Sequence, residues 1–134
     1  MNFSPLAAKV VALPAWRWMP GMVAIERDDT MRGRVLNVRR NPDRLDVFTV
    51  TGSLEARDDA WHVEDATPDL SDSATLGCLL ALVREAWGDP SLCVVFDHDD
   101  GRWNVGRWED GLVLRGRGGA SEAEALVNAL DGAP

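Results

Sequence analysis

The sequence predicts an α+β fold, an antiparallel sheet with helices packed against it. Three observations carry the prediction. Two segments have a 3.6-residue apolar period and capping residues at their ends. Two Asp-Gly pairs, Asp100-Gly101 and Asp110-Gly111, separate short β-rich runs. The first half holds further short strands punctuated by turn residues. At 134 residues one domain is expected. Residues 1–65 read as a helix plus β-meander, and residues 66–134 as a helix, three strands and a helix.

In chain order, Ser4-Pro5 is a helix start with proline in the first turn. Leu6, Val10 and Leu13 line one face, and Pro14 stops the helix. Pro20-Gly21 is a turn. Met22 to Arg27, Arg34 to Arg40 and Arg44 to Thr51 read as strands, joined at Asp28-Asp29 and Asn41-Pro42-Asp43. Trp61 to Glu64 adds a short strand, and Pro68 to Ser73 is a connection. Arg34 and Arg40 share a parity with Leu36 and Val38, so one face of that hairpin mixes charge with apolar side chains. A strand pair projecting past the main sheet has this character. The Met31–Thr51 hairpin is therefore expected to be an arm that contacts a partner or the acidic half of a second copy.

In the C-terminal unit, Ser71 or Asp72 caps a helix in which Leu76, Leu80, Val83 and Trp87 form one stripe. Cys78, Leu79, Ala81, Leu82 and Ala86 widen its apolar surface, leaving Thr75, Arg84 and Glu85 polar, so cover on two sides is expected. Gly88 ends the helix and Pro90 forbids continuation. Leu92 to Phe96, Arg102 to Trp108 and Leu112 to Arg115 follow as strands. Their apolar parities are Leu92, Val94 and Phe96, then Trp103 and Val105, then Leu112 and Leu114. Ser121 and Glu124 make a capping box for a last helix with Ala123, Leu126, Val127 and Leu130 on one face, ended by Gly132.

Charge is uneven. Residues 1–57 hold nine basic and six acidic side chains, a net of +3, and residues 58–134 hold five and sixteen, a net of −11. A bipolar molecule can self-associate head to tail or steer a charged partner to one end. The overall charge of −8 argues against direct nucleic-acid binding, which needs a basic footprint, though an acidic protein can mimic nucleic acid. No apolar run approaches the ~20 residues that span a bilayer, so no membrane association is expected. The start, Met1-Asn2-Phe3-Ser4, lacks the features of a signal peptide. Cys78 and Cys93, both expected on buried faces, fit a reducing cytosol.

The run Ala66 to Glu85, the opening Leu13-Pro-Ala-Trp-Arg-Trp-Met-Pro-Gly-Met22, and the tail from Ser121 to Pro134 resemble a group of small uncharacterised proteins encoded by bacteriophages and prophages of Gram-negative bacteria. More distantly, the layout is similar to the phage α-β-α sandwich domain. The likeness covers the two ends and the central helix, about half the chain, with Glu26 to Asp65 as a variable insert. Relatives often carry proline at the position of Ser73, which leaves the helix assignment unchanged. The resemblance implies an origin and a fold, and no catalytic residue.

Candidate sites are few. Asp97-His98-Asp99-Asp100 offers one imidazole and three carboxylates to a divalent ion, but a tight hairpin favours Asp for its own reasons. Arg115-Gly-Arg-Gly-Gly119 before a helix has the form of an anion nest, yet Glu122 and Glu124 would repel phosphate, so a flexible strand-to-helix loop is the better reading. No nucleophile elbow, His-Glu-x-x-His or Cys-x-x-Cys occurs. No cofactor, metal or enzymatic activity is expected. Trp87 and Trp103 read as core. Trp16 and Trp18 flank Arg17 and either form a contact surface or close one end of the core; Trp108 ends a strand on the parity opposite Trp103. Trp16, Arg17, Trp18, Arg39, Arg40 and Trp108 are the candidate partner contacts. The expectation is a non-enzymatic binding protein in the host cell cytoplasm, an inhibitor of a host defence or nucleic-acid-binding protein. A virion or assembly component that forms oligomers is the alternative, and a small metal-dependent hydrolase the third.

Overall fold

Turn and capping residues set the element boundaries in the computed structural model, which describes residues 4–26, 31–39, 47–52 and 58–134, with only the backbone of 47–52, 58–60 and 62. In chain order the elements are α1 (Ser4–Val11), β1 (Val23–Glu26), β2 (Arg32–Arg39), β3 (Val47–Gly52), β4 (Asp58–His62), a 3₁₀ turn (Val63–Asp65), β5 (Ala66–Pro68), α2 (Ser73–Trp87), β6 (Cys93–Asp97), β7 (Arg102–Trp108), β8 (Leu112–Gly119) and α3 (Glu122–Asp131). The α+β class is as expected. Its strands divide between two antiparallel sheets, β4-β3-β2-β1-β5 and β6-β7-β8. The chain forms two compact units, Met1–Ala8 with Trp18–Thr75, and Lys9–Arg17 with Leu76–Pro134. The expected turns at Asp28-Asp29 and Asn41-Pro42-Asp43 lie outside the described residues.

In the first unit, Trp18, Met22, Ala24, Val35, Trp61, Ala66 and Leu70 are buried. β2 is the third of five strands, paired to β1 at Arg32–Arg34 and to β3 along most of its length, so the hairpin starts inside the sheet and only the part of β2 past Val35 runs beyond β1. The mixed parity read from its sequence is resolved by a bulge. Val35 opposes Val50 and Asn37 opposes Thr49, which makes Leu36 the extra residue. After the bulge the parity reverses. Val35 and the half-buried Val38 share one side, while Arg32, Arg34, Asn37 and Arg39 are exposed. β5 replaces part of the expected connection. It is a three-residue edge strand, a position that tolerates Pro68.

The chain then enters α2 through two aspartates. Asp69 Oδ1 accepts from the Ser71 N–H (3.0 Å) and hydroxyl, and Asp69 Oδ2 accepts from Arg32 (2.7 Å). Of the two cap candidates, Asp72 takes the role: its Oδ2 accepts from the Thr75 N–H at 2.9 Å and the Thr75 hydroxyl at 3.0 Å. Thr75 Oγ1 in turn accepts from the Val23 N–H at 2.9 Å. Thr75, a polar residue of this helix, is therefore fully buried and satisfied.

In the second unit, Val10, Leu79, Leu82, Val83, Leu92, Val105 and nearly all of α3 from Ala123 to Leu130 are buried. The buried stripe of α2 is Thr75, Leu79, Leu82 and Val83; Leu76, Leu80 and Trp87 are half-buried, a rotation of the expected stripe. Gly88, at φ +64°, closes α2. Its N–H donates to Glu85 O and the Asp89 N–H donates to Arg84 O, a Schellman ending. A second Asp-x-Ser turn follows, in which Asp89 Oδ1 accepts from the Ser91 N–H (3.0 Å) and hydroxyl (2.6 Å). α3 packs on β8 and β7. Its cap is Ser121, whose hydroxyl accepts from the Glu124 N–H at 3.1 Å.

Candidate docking face on the three-stranded sheet

Both Asp-Gly turns form, but with different loop lengths. Asp97 opposes Arg102, leaving a four-residue loop, and Gly101 takes φ +68°. Trp108 opposes Leu112, leaving the three-residue loop Glu109-Asp110-Gly111, with Asp110 at φ +50° and Gly111 at φ +124°. An odd loop shifts the register by one residue from a two-residue Asp-Gly turn, and a one-residue slip moves every side chain to the other face. Directly opposed residues share a face. One face therefore carries Val94, Val105, Arg107, Val113 and Arg115, and the other Cys93, Val95, Gly106, Trp108, Leu112 and Leu114. Leu112 and Leu114 thus lie on the face away from Val105, a correction to the expected parity.

The two faces differ in burial. Val105 is completely buried. Trp108 is 71% exposed and Leu114 48%, the two most exposed large apolar side chains among the described residues. Gly106 lies between them, and the sheet needs it there. A Cβ on Gly106 would stand 2.7 Å from Val113 O, 3.1 Å from Leu112 Cδ1 and 3.3 Å from Leu114 Cδ2. The leucines lie down over this glycine, which joins Leu112, Leu114 and Trp108 into one apolar patch. Asp110 is exposed at the hairpin tip beside it, while Glu109 pairs with Arg107 (2.7 Å) of the other face.

The other candidates resolve into structural roles. Asp97 Oδ1 accepts from the Asp99 N–H at 2.8 Å and Asp100 Oδ1 from the Arg102 N–H at 2.9 Å, while His98 packs edge-on against Phe96. These are turn bonds, and no cluster of three potential ligands for a metal exists among the described residues. Arg115–Gly119 is the end of β8 and not a flexible loop. Trp103 opposes Gly119 while Val105 opposes Arg115, so residues 116–118 bulge with Gly116 at φ +76° and Gly118 at φ +70°. The bulge is held by Asn128, whose Nδ2 donates to Gly118 O at 2.7 Å and whose Oδ1 accepts from Arg117 at 3.1 Å.

On the opposite face, Arg107 lies 3.3 Å from Asp89 Oδ2, and the Arg115 guanidinium sits over the Trp87 ring. The Ser91 hydroxyl holds the Asp89 carboxyl below the usual range, against desolvation, helped by the Ser91 N–H, Arg107 and Arg115. Trp87 donates its Nε1–H to Ala129 O at 2.8 Å, which supports its reading as packing.

Of the candidate contacts, Trp18 is buried and Trp16 half-buried, so the core-closing alternative holds for Trp18. Arg17 pairs with Glu85 at 2.6 Å. Arg39 is exposed, and Arg40 lies outside the described residues. Trp108 alone joins a patch. Its neighbours Leu112 and Leu114 were missed, and the signal that finds them is the residue count of the loop. Cys78 and Cys93 form no disulfide and are partly exposed rather than buried. Among the described residues no helix is long and apolar enough to cross a membrane. Comparison with protein-family models, with curated proteins and with solved structures returns no significant match to this chain.

Proposed function

We propose that this chain is a phage- or prophage-encoded, non-enzymatic binding protein that works in the host cytoplasm by covering a surface of a host protein, with inhibition of a defence or nucleic-acid-binding protein as its class of effect. The observation that carries the binding reading is the Trp108–Leu112–Leu114 patch. An indole left 71% exposed on a strand, beside a leucine left 48% exposed, contributes little to the fold. Exposed tryptophan in an apolar surround is a characteristic anchor of protein interfaces. The phage origin rests on the resemblance of the opening run, the central helix and the tail.

The test is affinity purification from host lysate of the wild type and of a Trp108→Ser/Leu114→Ser variant, with quantitative proteomics. One host protein is expected in near-stoichiometric amount with the wild type. Loss of an anchor worth about 2 kcal/mol reduces its capture about 30-fold in the variant, at an unchanged melting temperature. Capture that survives both substitutions, or no stoichiometric host protein at all, overturns the reading.

A further inference from the structure

We draw no further inference here: the strongest candidate, the Trp108–Leu112–Leu114 patch on the three-stranded sheet, belongs to the site already described, and nothing in the structure shows what covers it.

Discussion

At the scale of single residues, aspartates organise the approach to and exit from α2. Asp69 and Asp89 each accept from a serine two residues on, and each has its second oxygen beside an arginine from a strand. Asp72 differs, because it faces the first turn of the helix and its charge complements the helix dipole there. Burial raises its pKa, but the Thr75 N–H, the Thr75 hydroxyl and Arg34 together outweigh this and hold it below the ordinary value of 3.8. A carboxyl depressed in the folded state stabilises the fold above the unfolded pKa and loses that contribution as pH falls through the folded one. Asp89 has the same sign. Thermal melts should therefore decline as pH drops below about 4. Asp72→Asn keeps a capping oxygen but no charge. It should cost on the order of 1 kcal/mol at pH 7, with the difference from wild type vanishing in acid. A difference that persists unchanged at low pH would show that shape and not charge matters at this cap.

At the scale of elements, the bulge that ends β8 is what lets α3 approach the strand. A Cβ on Gly116 would stand 2.8 Å from the Ala129 Cα, and the residue sits at φ +76°, which L side chains rarely adopt. Gly116→Ala is expected to cost about 2–3 kcal/mol in chemical denaturation. Gly77→Ala, where nothing lies within 4 Å and the residue is mid-helix, is expected to stabilise slightly. The same elements show what a sequence discloses. Caps, Asp-Gly turns and helix ends were legible because Asp72, Gly88, Gly101, Gly111 and Ser121 act through bonds to near neighbours. Three features were not. β5 is three residues long and exists only because β1 lies beside it. The α2 stripe is rotated because Thr75 finds Val23 and Asp72 to satisfy its hydroxyl, which no periodicity reveals. The faces of β2 and β8 depend on one residue more or fewer in a bulge or loop, at Leu36 and at Glu109–Gly111. That last feature hides most of the candidate site: parity shows Trp108 and places its leucine neighbours in the core.

At the scale of the whole molecule, the three-stranded sheet separates two demands on one set of strands. Val105 is packed on one face, and Trp108 and Leu114 stand exposed on the other. The separation can be measured without knowing the partner. Val105 is completely buried, so Val105→Ala removes two methyl groups from a packed site and should cost about 2 kcal/mol. Leu114 deletes more carbon when changed to alanine, yet it is 48% exposed, and Leu114→Ala should cost under about 1 kcal/mol. The order is the reverse of what side-chain size alone predicts. It is also the reverse of what the expected register predicts, in which Leu114 is core. Urea denaturation of the two variants under one set of conditions decides between the registers. If Leu114→Ala proves the costlier change, the sheet is turned over and the patch around Gly106 is interior. If Val105→Ala is costlier, the register with the three-residue loop stands, and Leu114 and Trp108 lie on an open strand face where little of the fold's stability depends on them.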